Sequence, residues 1–408
     1  MKYLVILTDG AADEPLGQLN GKTPLEAAEM PHAKALAERS VVGTVRTVPD
    51  GMQPGSDVAN LAVMGYDPKI YHTGRSPLEA ASIGVALSDT DVAYRANIVT
   101  LAGPDGSFTS DCAYEDMTMI DHASGDISTE DCAVLLDAVR KELETDSIHF
   151  HCGVSYRHCM VIADGVLGYE LVPPHDFLGQ PVRDKLPSGE ASFLLDMQKK
   201  SYEILKNHPI NQARIAAGIH PANSLWLWGA GKKPSLNPIA EKYGVNGAVI
   251  SAVDLIKGIG ILAGLESIDV PGATGTLHTN FSGKADAAID AFRRGKDFVY
   301  VHLEATDESG HQGSIADKTE ALRRIDAKVI GPLTDWLASC GDDYRILLLP
   351  DHPTPIRIRT HSPEPVPFVL FDSRVSAGSP ENAFTERSCR NGVFYDSAFA
   401  LTDIFFRR

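Results

Sequence analysis

Residues 3–10 read YLVILTDG, a run of apolar residues that ends in the polar pair Asp9-Gly10. An apolar run of this length, closed by a turn signal, is typical of a strand buried in a parallel sheet. Two later runs have the same design: residues 298–303, followed by Asp307 and His311, and residues 345–349, followed by Asp351 and His352. Ligands of open α/β sheets bind at the carboxyl ends of the strands. We therefore expect these polar side chains to share one edge of a sheet.

These residues have the chemistry of metal ligands. Together with His361, which follows the short run 356–359, they supply three carboxylates and three imidazoles. That number of donors is sufficient for two divalent cations, and a mixed Asp/His set favours Mn or Zn over a site for Mg alone. Asp307 and His311 are four residues apart, so on a helix both would face the same ion. A single Asp-His or Asp-Gly pair after a strand is more often an ordinary turn, so the interpretation depends on the combination.

Ser56 is a candidate nucleophile. Residues 43–48 are predicted to form a strand, and Pro54-Gly55-Ser56-Asp57 opens a helical pattern that continues to Met64. This spacing predicts Ser56 at the N-cap, where a serine usually has only a structural role. A helix N-terminus also attracts anions, and a nearby metal would lower the pKa of the hydroxyl. Because the preceding strand is expected in the same sheet as the metal ligands, we favour the catalytic role.

Composition limits the classes of partner. The net charge of -17 argues against nucleic acid, whose binding depends on Lys and Arg. The 6 cysteines form no CxxC pair, as expected for free thiols in a reducing compartment. The first apolar run meets Asp9 too early for a secretory signal, and the most apolar stretch, 245–265, contains charges and glycines unsuited to a membrane span. We expect a cytoplasmic protein without a membrane partner.

The chain is expected to contain two domains. Strand-like and helical segments alternate in residues 1–90 and 188–408, which predicts an α/β core with a mostly parallel sheet flanked by helices. Residues 91–187 have shorter strand-like runs, acidic loops and one clear helix near 130–144, and we interpret them as a smaller inserted α+β domain. The turn-rich stretch 173–189 is expected to be the return connection.

Several motifs together resemble the archaeal-type, cofactor-independent (2,3-bisphosphoglycerate-independent) phosphoglycerate mutases of the alkaline phosphatase superfamily. The resemblance spans essentially the whole chain. The motifs are TDG at 8–10, GKTPLEAA at 21–28, PGSD at 54–57, TGRSPLEAA at 73–81, DESGH at 307–311 and DH at 351–352.

The resemblance implies an alkaline-phosphatase-like core, interrupted by the inserted domain, that interconverts 3-phosphoglycerate and 2-phosphoglycerate. A phosphoserine intermediate would form on Ser56 without bisphosphoglycerate. Of two divalent cations, Mn is favoured, with Zn, Mg or Co as alternatives. By motif, one would be held by Asp9, Ser56, Asp351 and His352, and the other by Asp307, His311 and His361.

The inserted domain is expected to bind the substrate's carboxylate and phosphate. Arginine suits this task because its planar guanidinium binds either anion through two hydrogen bonds. The candidate substrate-binding residues are Arg75, Arg95, Asn97, Arg157, His158 and Lys232. Any one of them is also consistent with a solvated surface charge.

The identity of the phosphoryl acceptor stays open at this point. Residues 153–158 and 173–176 look more like a bacterial branch of the family that is proposed to phosphorylate homoserine. A phosphatase that transfers the phosphoryl group to water is a further alternative on the same core. A binding protein with a relict metal site is disfavoured, because carboxylates converging without a cation would repel one another. The sequence does not indicate an oligomeric state.

Overall fold

The computed structural model describes residues 1–375 and 377–407. Their contacts divide the chain into two compact units: unit 1 is Met1–His72 with Ser235–Arg408, and unit 2 is Thr73–Pro234. Unit 2 is wider than the predicted insertion of 91–187. The boundaries differ because strand Ser224–Lys232 pairs along Val92–Val99, and this pairing adds the later segment to unit 2.

The described residues form the following elements. The strands are β1 (Lys2–Thr8), β2 (Val41–Val45), β3 (Val92–Ala102), β4 (Thr118–Asp121), β5 (Ile148–His151), β6 (Arg157–Ile162), β7 (Ser224–Lys232), β8 (Gly247–Ile250), β9 (Glu266–Ile268), β10 (Phe298–Leu303), β11 (Tyr344–Leu349), β12 (Val366–Asp372) and β13 (Val393–Tyr395). The α-helices are α1 (Pro24–Ala27), α2 (Pro31–Ala37), α3 (Ser56–Val63), α4 (Pro68–Tyr71), α5 (Ser76–Ser82), α6 (Thr129–Leu143), α7 (Ser192–Leu205), α8 (Pro209–Ala216), α9 (Ile239–Tyr243), α10 (Asp254–Leu262), α11 (Phe281–Arg293), α12 (Ala305–Gln312), α13 (Ile315–Ile325), α14 (Gly331–Ser339), α15 (Glu386–Arg390) and α16 (Ala398–Phe406).

Unit 1 is built on one sheet with the strand order β13-β2-β12-β11-β1-β10-β8-β9. Strands β11, β1, β10, β8 and β9 are parallel, whereas β12 is antiparallel to both β11 and β2. Residues 3–8 of β1 are buried on both faces, which explains their continuous apolar run. The predicted fold class, an α/β core with a mostly parallel sheet flanked by helices, is confirmed.

Unit 2 contains an antiparallel sheet around the long strand β3, which pairs with β4, β6 and β7. Helices α6 and α7 contribute Leu135, Leu136 and Leu194 to its core. Residues 229–232, which follow the apolar run 225–228, continue β7, because the pairing with β3 extends to Lys232.

The described part of the chain contains no helix with the length and apolar character needed to cross a membrane.

Candidate active site

Three neighbouring parallel strands bring the acidic residues together. In the register of β1, Thr8 pairs with Leu303 of β10, and Leu7 pairs with Leu349 of β11. The three strands therefore end at the same level, and the segments after them carry Asp9, Asp307 and Asp351. Gly10 has a φ of +62°, and a Cβ there would lie 2.5 Å from Oδ1 of Asp307. A glycine is thus required for the close approach of the segments after β1 and β10.

The first cluster of candidate ligands is Asp9, Asp351 and His352, all buried, with ligand atoms within 4.8 Å of one another. Oδ1 of Asp351 accepts hydrogen bonds from the backbone N–H groups of Gly10 (3.1 Å) and His352 (2.9 Å). Its Oδ2 accepts from Nδ2 of Asn60 at 3.0 Å. In contrast, the buried Oδ1 of Asp9 has no hydrogen-bond partner within residues 1–375 and 377–407.

The second cluster is Asp307, His311 and His361. Nε2 of His311 lies 3.2 Å from Oδ2 of Asp307, and Nε2 of His361 lies 3.4 Å from Oδ1 of the same carboxylate. The two Nε2 atoms are only 3.0 Å apart. Helix α12 explains two of the three positions in this cluster, since it carries Asp307 and His311 four residues apart, as expected from the sequence.

All three histidines direct Nε2 toward the clusters and make their other contact through Nδ1. Nδ1 of His311 lies 3.0 Å from the carbonyl oxygen of Arg359, that of His361 lies 3.4 Å from the carbonyl of Pro54, and that of His352 lies 3.4 Å from Oγ1 of Thr354. An Nδ1–H donated to such an acceptor leaves the Nε2 lone pair available, which is the usual arrangement of a metal-ligating histidine.

Ser56 lies beside the first cluster, with Oγ 3.2 Å from Nε2 of His352. It is the first helical residue of α3, and Gly55 occupies the N-cap. The N-cap prediction for Ser56 was therefore wrong by one position. The hydrogen bond recorded for its hydroxyl is with His352 and not with a backbone N–H at the N-terminus of α3.

The electrostatics of the clusters reflect the converging carboxylates. Burial, together with the charges of Asp351 and Asp307, raises the pKa of Asp9 well above its ordinary value. Burial opposes ionisation of Asp307 too, but hydrogen bonds from His311 and His361 hold its pKa well below the ordinary range. The bond to Asp307 raises the pKa of His311 to about 9. A carboxylate whose ionisation is disfavoured by two neighbouring carboxylates is one that a cation would stabilise.

Divalent cations fit both clusters. Oδ1 of Asp9 has no hydrogen-bond partner among the described residues, and the Nε2 atoms of the three histidines face the carboxylates of the two clusters, where each is able to bind a metal ion. A set of carboxylate oxygens and imidazole nitrogens matches Mn, Zn and Co better than a cation that prefers oxygen alone.

In unit 2, arginines gather around the carboxylate of Glu79. Nε of Arg95 lies 2.9 Å from Oε2 of Glu79, and Nε of Arg75 lies 3.7 Å from Oε1. The guanidinium of Arg95 also stacks on the ring of Trp228 at 4.4 Å. Burial, followed by the charges of Arg75 and Arg157, lowers the pKa of Arg95 even though Glu79 opposes this change. The three arginines carry more positive charge than the single carboxylate of Glu79 neutralises. The group is therefore suited to binding an anion.

The other predicted substrate-binding residues have different surroundings. Asn97 is buried, and its Oδ1 accepts a hydrogen bond from Nε1 of Trp228 at 3.3 Å. His158 is buried with both ring nitrogens engaged, Nε2 by Sγ of Cys132 (3.1 Å) and Nδ1 by the N–H of Gly153 (3.1 Å). It has no free nitrogen for a ligand, and burial lowers its pKa to about 4. The half-buried Lys232 ends β7.

The chain is similar to known proteins over its whole length. Residues 37–211 match the family model described as 2,3-bisphosphoglycerate-independent phosphoglycerate mutase. Over its full length the chain is 47% identical to a probable 2,3-bisphosphoglycerate-independent phosphoglycerate mutase of Geobacter sulfurreducens, and all of that relative is covered. The chain belongs to this family. The resemblance predicted from the motifs is confirmed, and so is the prediction that the chain is an enzyme of this family.

Two further members of the mutase family support the assignment. A 2,3-bisphosphoglycerate-independent phosphoglycerate mutase of Methanosarcina barkeri is 44% identical, with 96% of each chain covered. The solved structure of a cofactor-independent phosphoglycerate mutase from Thermoplasma acidophilum superposes with a TM-score of 0.65 at 27% identity, with 99% of each chain covered.

Near the two clusters of this mutase-family chain lie buried charged residues that were not predicted from the sequence. His302, Glu304 and Lys284 are buried behind Asp9, and the fully buried Lys318 pairs with Asp13. Two signals were available. A histidine is the next-to-last residue of the otherwise apolar run of β10, and Lys284 shares the apolar face of α11 with Phe281 and Ala288. In unit 2, His122 and His175 lie near the arginines, with ring centroids 6.0 Å apart.

Proposed function

We propose that the protein interconverts 3-phosphoglycerate and 2-phosphoglycerate through a phosphoserine on Ser56 at a site for two divalent cations. The observation that carries the proposal is the position of Ser56. Its Oγ lies 3.2 Å from Nε2 of His352, in the cluster where Oδ1 of Asp9 has no hydrogen-bond partner among the described residues. Relatives similar over the whole chain are named for this mutase activity, which supports the choice of substrate.

One cation would be held by Asp9, Ser56, Asp351 and His352, and the other by Asp307, His311 and His361, with Mn favoured. When bound, the two cations would lower the pKa of the serine hydroxyl and neutralise charge on the transferred phosphoryl group. No bisphosphoglycerate is needed, because the enzyme's own serine carries the phosphoryl group between the two transfers.

The reaction consists of two phosphoryl transfers. In the first, Oγ of Ser56 attacks phosphorus, the bond from phosphorus to the substrate oxygen breaks, and glycerate keeps that oxygen as a hydroxyl. In the second, the other hydroxyl of glycerate attacks the phosphoserine, and Ser56 is released. The serine that donates its proton in the first transfer regains one in the second, so the chain is unchanged after a turnover.

Unit 2 would hold glycerate by its anionic groups. Arg75, Arg95 and Arg157 are the strongest candidates, because Arg75 and Arg95 contact the same carboxylate of Glu79 and Arg157 pairs with Asn97 on the strand that carries Arg95. Glu79 contacts Arg75 and Arg95 and so restricts their orientation, which reduces the entropy lost when an anion binds. The proposal retains Asn97 and Lys232 but not His158, whose nitrogens are both used in the interior.

The test is an assay of the purified protein with Mn²⁺ and 3-phosphoglycerate, with 2-phosphoglycerate detected as the product. We expect interconversion that chelation abolishes and added Mn²⁺ restores. Ser56→Ala should eliminate turnover, because it removes the nucleophile. Ser40→Ala is the matched control, since Ser40 is also buried in unit 1 but its hydroxyl donates to the carbonyl of Leu36 near the end of α2.

Labelled phosphate from the substrate should be trapped on Ser56. Label on another residue, or a near-normal rate in Ser56→Ala, would refute the nucleophile. Formation of O-phosphohomoserine from homoserine and a phosphoryl donor, or release of inorganic phosphate without interconversion, would instead refute the acceptor and leave Ser56 in place.

A further inference from the structure

A chain of buried charged side chains lies behind Asp9 and is not part of either ligand set. Nζ of Lys284 is 2.7 Å from Oε2 of Glu304 and 2.9 Å from the carbonyl oxygen of His302. Oε1 of Glu304 is 3.0 Å from Nδ1 of His302. Lys284 and His302 are completely inaccessible to solvent, and Glu304 is 4% exposed.

The chain of charges ends at Asp9. Nε2 of His302 lies 3.1 Å from Oδ2 of Asp9, which is an ion-pair contact, and has no hydrogen-bond partner among the described residues. The other carboxylate oxygen, Oδ1, also has no hydrogen-bond partner among these residues and lies 3.8 Å from Nε2 of His352. One oxygen of Asp9 is thus held by the protein interior, and the other faces the candidate metal cluster.

The orientation of His302 is tightly determined. Oε1 of Glu304 also accepts hydrogen bonds from Oγ of Ser251 and the N–H of Ala252, each at 3.0 Å. The participating groups come from α11, β10, the segment after β8 and the segment after β1. Charges alternate along the chain from lysine to glutamate, histidine and aspartate. Buried charges are tolerated when each has such a partner, and they then fix geometry strongly.

We propose that His302, oriented by Glu304 and Lys284, is a positioning residue that holds Oδ2 of Asp9 so that Oδ1 alone ligates a divalent cation. This inference rests on the proposed function only in assuming that the Asp9 cluster binds such an ion. Groups that orient a metal ligand through its second polar atom typically contribute tenfold to a hundredfold to metal affinity.

The experiment compares two amide substitutions of His302, neither of which alters a metal ligand. The amide of His302→Gln extends toward the position of Nε2 and can therefore still contact Oδ2 of Asp9. The shorter amide of His302→Asn remains near Glu304 and does not reach Asp9. Both variants are neutral and polar, so a merely structural role would affect them alike. Binding of Mn²⁺ is measured by titration calorimetry and by metal analysis after dialysis, without any assay of activity.

The wild-type protein should bind two Mn²⁺ ions. In His302→Asn, the affinity for one ion should fall by about tenfold to a hundredfold, whereas His302→Gln should retain most of it. Combining His302→Asn with His361→Ala locates the effect. The double variant should retain no ion at high affinity, because each substitution weakens a different cluster.

Normal affinity for both ions in a folded His302→Asn protein would overturn the inference, and so would equal losses in the two variants. If His302→Asn does not fold, Glu304→Gln provides a second test, because it removes the charge that orients His302 and should weaken one ion. Wild-type affinity in Glu304→Gln would overturn the inference. A wild-type protein that binds no Mn²⁺ would overturn the two-cation proposal as well, so the two failures are distinguishable.

Discussion

At the scale of single residues, the candidate site depends on side chains that have two polar atoms. One atom is held by a contact with the protein, and the other faces the cluster. The three histidines make their outer contact through Nδ1, and Asp9 is paired through Oδ2. The atoms on the opposite side, the Nε2 nitrogens and Oδ1 of Asp9, then point toward one another. This arrangement is difficult to maintain without a ligand, because it brings like atoms close together.

Arg157 is a candidate substrate-binding residue whose role can be tested by substitution. Arg157→Ala should reduce kcat/KM with 3-phosphoglycerate at least about tenfold, the loss expected when one charge-assisted hydrogen bond to an anion is removed. The change should have little effect on folding, because the contact that the described residues offer the guanidinium is with the ring of Tyr156, at 5.5 Å. Steady-state kinetics of the variant check this expectation.

Arg140→Ala is the matched control for Arg157. Arg140 also belongs to unit 2, but it lies exposed on α6 and pairs with Glu144 at 3.0 Å. Its removal should leave kcat/KM unchanged. Equal activity of both variants would remove Arg157 from the set of substrate-binding residues.

At the scale of elements, the motif at residues 21–28 has a structural role. Thr23 caps α1 by accepting from the N–H of Glu26, and Glu26 accepts in return from the N–H of Thr23, which is a capping box. The hydroxyl of Thr23 also donates to Glu386 at 2.6 Å, and the other oxygen of Glu386 accepts from the N–H of Asp13. Glu386 thus joins α15 to α1 and to the segment that follows Asp9.

Glu386 gives a prediction about pH. Burial raises its pKa to about 7, with a further contribution from Glu26 and despite the hydrogen bonds from Thr23 and Asp13. The folded protein therefore binds this proton more tightly than the unfolded chain, and the resulting stabilisation is lost as the pH rises from about 4.5 to about 7. Glu386→Gln removes this dependence. Relative to wild type, its free energy of unfolding should increase between pH 5 and pH 8 by more than about 1 kcal/mol.

Urea unfolding of both proteins at the two pH values measures this difference. The exposed Glu381→Gln serves as the control and should show no change with pH relative to wild type. A Glu386→Gln protein that loses stability relative to wild type as the pH rises would contradict the assigned direction of the pKa shift.

At the scale of the whole molecule, the chemistry is divided between two compact units. All seven candidate metal ligands, Ser56 included, lie in unit 1, whereas the arginine group lies in unit 2. Unit 2 is continuous in sequence, and unit 1 is assembled from two segments whose strands alternate in one sheet. Binding of the cations and binding of the glycerate anion should therefore be separable.

Replacing residues 73–234 by a glycine-serine linker tests this separation. The shortened chain should still fold, because its sheet keeps every strand of unit 1, and it should bind two Mn²⁺ ions. It should not interconvert the phosphoglycerates, although slow release of phosphate from 3-phosphoglycerate is expected. Circular dichroism, metal analysis and the two product assays check these points. Interconversion at the rate of the full chain would show that unit 2 does not bind the substrate.

The sequence by itself determined the local features of unit 1. The apolar runs before Asp9, Asp307 and Asp351 indicated buried strands, because only strands covered on both faces are apolar throughout. The four-residue spacing placed Asp307 and His311 on one helical face. Motifs along the whole chain indicated the family. Each of these signals depends on residues that are adjacent or one helical turn apart, so no tertiary contact is needed to interpret it.

Only the tertiary structure decided which distant residues meet. The contact between His311 and His361, the burial of both nitrogens of His158 and the addition of residues 188–234 to unit 2 all depend on strand register and on packing between remote segments. The same holds for Lys284, Glu304 and His302 behind Asp9. In sequence, a buried charge with its partner and an exposed charge without one look the same. Their difference is a matter of desolvation and pairing, which exist only in the folded chain.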